Sequence, residues 1–128
     1  MPGATYEELE DARRMHALGI VGTMTIWLPI FIWLAHLGSL AALVPYLNNH
    51  PSKWWLAWID TGVCAAAVIA CIVTAIAVGV NVDAKENEGT AAGRNRFLAW
   101  HGVLAGLANL ALILAEGSYV LFISPMHR

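Results

Sequence analysis

The sequence predicts an all-α integral membrane protein with three transmembrane helices in a small bundle. Two observations carry this reading. The 128 residues are 59% apolar and only 12% charged, with a mean hydropathy of +0.61, whereas a water-soluble domain needs more charge to cover its surface. The apolar residues also run together. Ala17–Leu47 carries no Asp, Glu, Lys or Arg, Trp54–Val82 carries only Asp60, and Phe97–Met126 carries only Glu116. Each run exceeds the roughly 20 residues that cross about 30 Å of hydrocarbon.

The first element has a polar lead-in, residues 1–16, in which "TYEELEDARRMH" reads as a short interfacial helix. Thr5 and Glu8 have the spacing of a capping box. The segment is acidic as well as basic and the apolar run after it is too long for a signal core, so it is read as retained. The membrane domain is expected over residues 17–126, with spans at about 17–47, 54–81 and 97–125. The first span is longer than a bilayer requires, and Pro29 is its expected kink because it lacks an N–H and crowds the preceding turn.

Between the first two spans, "NNHPSK" reads as a tight turn next to Trp54, Trp55 and Trp58, an interfacial aromatic belt. The connection "DAKENEGTAAGRNR" is the one long polar segment and is expected to be flexible. Arg13, Arg14, Lys85, Arg94 and Arg96 fall on one side of the membrane, against Lys53 and Arg128 on the other. The positive-inside rule then puts the N-terminus in the cytoplasm and the C-terminus outside.

Helix contacts are expected along Ala67, Cys71, Ala75 and Gly79 in the second span and at Gly102 and Gly106 in the third. These small residues let backbones approach closely. Cys64 and Cys71, seven residues apart on one helix face, are too far apart for a disulfide and read as packing residues.

Three ionisable side chains lie deep, and each needs a reason, because a charge at mid-membrane costs about 2.5–3.5 kcal/mol. Counting helix rise puts His36, Asp60 and Glu116 roughly 9–15 Å below the outer surface. One imidazole and two carboxylates at one depth suit a divalent metal, a proton-relay or quinol site, or interhelical hydrogen bonding with the carboxyls neutralised by burial. The last is the preferred reading.

A bis-histidine heme fits less well. His101 lies near the inner end of its span, roughly 20 Å from the level of His36. His16 is at the edge of its helix, so it and His101 read as interfacial residues, and His50 and His127 belong to a loop and a tail. No intrinsic cofactor is expected; heme and a divalent metal are the minority alternatives. No Gly-rich phosphate loop, CxxC, HExxH or nucleophile elbow marks the chain as an enzyme by itself, and no basic tract suggests nucleic acid.

"WLAHL" (Trp33 to Leu37) and "RNRFLAWHGVLAGLANLALILAEGSYVLFISP" (Arg94 to Pro125) carry a family resemblance. They resemble the small multi-span membrane proteins encoded beside caa3-type cytochrome c oxidase genes in proteobacteria. In those, a first helix carries a proline, a tryptophan and then a histidine followed by leucine, a pattern that Pro29, Trp33, His36 and Leu37 match loosely, with one extra residue between the proline and the tryptophan. Their last helix opens on an "RxRFLA" pattern, matched by Arg94, Arg96, Phe97, Leu98 and Ala99, and ends near a proline, here Pro125. The family often has a cysteine after that proline, where this chain has Met126.

The resemblance implies an accessory or assembly subunit of a respiratory electron-transfer complex, most simply a terminal oxidase, in a bacterial inner membrane. Its partners would be the lipid bilayer and the other membrane subunits of that complex, with no redox centre of its own. Two alternatives stand beside it: a subunit contributing a metal or quinol/proton site from His36, Asp60 and Glu116, and a small homo-oligomeric channel or transporter.

Overall fold

A computed structural model describes residues 5–83 and 90–123. The polar connection 84–89, with Lys85, and the terminal Pro125 and Met126 lie outside the described residues. Three long helices account for nearly all of the rest: α1 (Tyr6–Asn49), α2 (Trp55–Asp83) and α3 (Thr90–Ile123), each packed against both others. All three contain segments long and apolar enough to cross a membrane.

The polar lead-in is not a separate helix, because α1 runs unbroken from Tyr6 through the first apolar run. Thr5 caps it as the spacing predicts. The Glu8 N–H donates to Thr5 Oγ1 at 3.2 Å, and the Thr5 N–H donates to Glu8 Oε2 at 3.1 Å. α1 also continues through Pro29 and Pro45, and Pro29 is buried in the bundle. It ends at His50, where one 3-10 turn, Pro51–Lys53, reverses the chain into α2. Of the three tryptophans there, Trp55 and Trp58 are exposed, while Trp54 is half-buried and packs against Leu40, Leu47 and Ala57. α3 begins earlier than the apolar run, so Arg94, Asn95 and Arg96 are helical rather than part of a loop.

Burial recurs at alternating three- and four-residue steps. In α1 the buried face follows Gly22, Thr25, Pro29, His36, Leu40 and Leu47. In α3 it follows Asn95, Ala99, Gly102, Gly106, Asn109, Ile113 and Gly117. This 3.5-residue rhythm is the seam of helices lying side by side. α3 is unusually small along its seam, and that lets it touch two helices at once. A Cβ on Gly102 would run into Thr25 of α1 and lie 3.2 Å from Ala75 of α2, and one on Gly106 would run into Ile72.

In α2 the expected ladder holds at one end. Ala75 and Gly79 are buried, while Ala67 and Cys71 are half-buried and the seam passes through Val68 and Ile72. A strict four-residue step advances about 40° per repeat around a 3.6-residue helix, so it drifts off the contact face. Cys64 and Cys71 are free thiols, both half-buried.

Three apolar clusters fill the interior: Leu40, Leu47 and Ala57 at the turn end, Val68, Ile72 and Ile113 in the middle, and Val78 and Ala99 at the far end. The outside is as apolar as the inside, with Phe31, Val63, Val73, Phe97 and Leu104 all exposed. Such a surface suits lipid and would aggregate in water.

Gly102 should therefore tolerate no side chain. Gly102→Ala is expected to destabilise the bundle by about 1–3 kcal/mol through overpacking. Gly62→Ala, whose Cβ meets nothing within 4 Å, should be neutral or stabilising by up to about 1 kcal/mol. Unfolding of the two variants in mixed micelles checks the difference.

Candidate functional site

Between the middle and turn-end clusters, the bundle buries a set of polar groups drawn from all three helices. His36 of α1 is at the centre and is fully buried. Its ring bridges the other two helices. Nδ1 lies 3.3 Å from Glu116 Oε2 on α3, and Nε2 lies 3.0 Å from Thr61 Oγ1 on α2. The Trp33 indole N–H donates to the other Glu116 oxygen, Oε1, at 2.7 Å. Trp33 and His36 are three residues apart and share a helix face, so α1 grips the two oxygens of one carboxylate with two side chains.

The contacts admit more than one placement of the protons. In its ionised form Glu116 accepts hydrogen bonds from the Trp33 indole N–H and from the His36 Nδ1–H. A neutral His36 then carries its proton on Nδ1 and accepts the Thr61 hydroxyl at Nε2. A charged His36 donates at both nitrogens and forms a salt bridge with Glu116. His36 keeps its hydrogen bonds to Glu116 and Thr61 in either form.

Asp60 is close in sequence to this centre but has a different partner. The Ser39 hydroxyl of α1 lies 2.7 Å from Asp60 Oδ2 and donates to it, or to the His36 carbonyl at 3.0 Å. Adjacent residues point about 100° apart around a helix. Thr61 therefore takes the buried position facing His36, and Asp60 sits at the flank. Among the described residues, no three His, Cys, Asp or Glu side chains form a group that could hold a metal ion.

A quarter of the Glu116 side chain is exposed. It lines a groove of about 580 Å³ between α1 and α3, with Leu37, Leu40, Val44, Pro45 and Tyr119. The groove is almost wholly apolar apart from Glu116 and the Tyr119 hydroxyl.

His16, His50 and His101 stand apart from this site, and His127 lies outside the described residues. His101 is exposed and its ring packs against Phe97 at 4.2 Å between centroids, whereas His16 lines a second groove with Arg94 near the start of α3. His50 hydrogen-bonds the Tyr46 carbonyl at 3.0 Å and stacks on its ring. Sequence reasoning missed Trp33, Ser39 and Thr61 as partners and missed Asn95, whose buried amide donates to the Met15 carbonyl at 2.8 Å. The available signal was depth: Trp33, Ser39 and Thr61 each lie within three residues of an ionisable side chain already counted to that level. No family model, curated protein or solved structure matches this chain.

Removing one partner leaves the others stranded. His36→Ala should cost about 2–5 kcal/mol, combining a lost buried side chain with unmatched polar groups on α2 and α3. Trp33→Phe keeps the ring packing and removes one donor, which should cost about 1–2 kcal/mol. A double-mutant cycle over His36 and Glu116 should return a coupling of about 0.5–3 kcal/mol. Zero coupling would show that the two side chains do not meet.

Proposed function

We propose that this chain is an accessory or assembly subunit of a membrane-bound respiratory electron-transfer complex, most simply a terminal oxidase, acting through helix packing. The observation that supports it best is the polar set itself. His36, Asp60 and Glu116 all find partners inside the chain's own bundle, and the outer faces remain apolar. A chain built this way offers neighbouring subunits shape and apolar surface, and the resemblance around Trp33–Leu37 and Arg94–Ala99 supplies the complex.

In this reading the three helices span a bacterial inner membrane with the N-terminus in the cytoplasm, and α1 bends at Pro29. The His36–Glu116 link fixes α1 and α3 at one relative height, as buried polar pairs do where lipid offers no alternative partner.

One observation favours a second reading, in which the chain contributes a proton or quinol site. Glu116 faces an apolar groove while its back is held by His36 and Trp33. A carboxylate used only as glue has no need of that opening.

Isolation in a mild detergent through an affinity tag tests the first reading. Oxidase or other redox subunits should co-purify in stoichiometric amounts. His36→Ala should lower the co-purified amount several-fold while turnover of the assembled fraction stays unchanged. A chain that migrates alone contradicts the accessory-subunit reading, and normal assembly with abolished turnover favours the second.

A further inference from the structure

The groove over Glu116 combines three features: an apolar wall, a polar floor and an opening on the outer face of the bundle. Its volume, about 580 Å³, falls in the range of small-molecule sites, which characteristically pair apolar walls with a few fixed polar groups. The floor is rigidly held. Trp33 Nε1 fixes one Glu116 oxygen at 2.7 Å, and His36, fully buried, stands 3.3 Å from the other. Each carboxylate oxygen has two acceptor positions, so the inward hydrogen bonds leave one acceptor position on each oxygen of a side chain that is one quarter exposed and lines the groove.

That chemistry selects the occupant. In its ionised form the Glu116 carboxylate accepts hydrogen bonds and repels other acceptors, so the site proposed below is that form with an occupant presenting an O–H. The occupant must also be apolar enough to lie along Leu37, Leu40, Val44 and Pro45. Depth narrows the class further, since Glu116 is roughly 9–15 Å below the membrane surface by helix rise. A sterol or phospholipid hydroxyl stays at headgroup level. The ring of a lipid-soluble hydroquinone moves within the hydrocarbon.

We propose that the α1–α3 groove binds a lipid-soluble hydroquinone, with one ring hydroxyl donating to Glu116 and the ring lying against Leu40 and Tyr119. The inference covers binding alone. It rests on the helices spanning a membrane and deepens the second functional reading without depending on which complex the chain joins. The oxidised quinone carries carbonyl acceptors and no O–H, so it loses the Glu116 contact and meets a carboxylate instead. Selection for the reduced form is the distinguishing property.

The test uses the full chain in quinone-free lipid nanodiscs, titrated with decyl-benzohydroquinone kept reduced and, separately, with decyl-benzoquinone. The hydroquinone should bind saturably and about ten-fold or more tightly than the quinone, the worth of one hydrogen bond to a charged group. Glu116→Gln replaces an acceptor with a side chain that also donates, and should narrow the preference to about two-fold or reverse it. Ala41→Trp, on the groove wall and away from the hydrogen bonds, should abolish binding of both forms while helicity and thermal unfolding match the wild type.

Three results would overturn the proposal: no saturable binding by folded wild-type protein, equal affinity for the two forms, or a preference that survives Glu116→Gln. Because the chain is tested alone, a failed co-purification with oxidase leaves this result standing. A chain that does not incorporate into the discs overturns the membrane reading and this proposal together.

Discussion

The arrangement of the bundle depends on one fully buried imidazole that touches two other helices. In an apolar interior a polar group without a partner costs several kcal/mol, and a hydrocarbon surrounding would offer no water to relieve it. His36 is therefore comfortable only where Glu116 and Thr61 meet it, and both contacts are made. Sliding α1 by one residue along α3 would break the Nδ1 contact and the Trp33 contact together. Apolar faces tolerate such a slip, since one methyl packs much like another. The hydrogen-bonded set sets the register, and the apolar seams supply most of the contact area.

That set works because α3 lets the other helices come close. Gly102 and Gly106 sit where side chains of α1 and α2 press against the α3 backbone, and Gly117, the residue after Glu116, faces Thr61. The absent side chains are as much a part of the site as the polar ones. At Gly117 a methyl group would displace Thr61 from the position in which it faces His36. Close packing and polar satisfaction are thus two sides of one constraint in this bundle.

Much of this was legible in the sequence, and the limits have physical causes. Three uninterrupted apolar runs determine the element count. Helix rise alone brings His36 and Glu116 to one level, and the structure joins them. Asp60 shares that level but pairs with Ser39 beside the His36 centre, because depth says nothing about azimuth and the residue next to it, Thr61, takes the inward position. Trp33 reads as an apolar residue on composition, and only the fold shows its indole N–H aimed at a carboxylate. Helix ends are the least legible feature. Polar residues such as Arg94 and Arg96 look like loop, yet nothing in them prevents a helix from starting early.

The central claim is that Trp33 and His36 hold opposite oxygens of one Glu116 carboxylate and so tie α1 to α3. Solid-state NMR in lipid bilayers tests it directly, by measuring the distance from the Trp33 indole nitrogen to the Glu116 carboxyl carbon in selectively labelled protein. A hydrogen bond of this geometry requires about 4 Å or less. A separation beyond about 6 Å, larger than any hydrogen-bonded pair allows, would contradict the account.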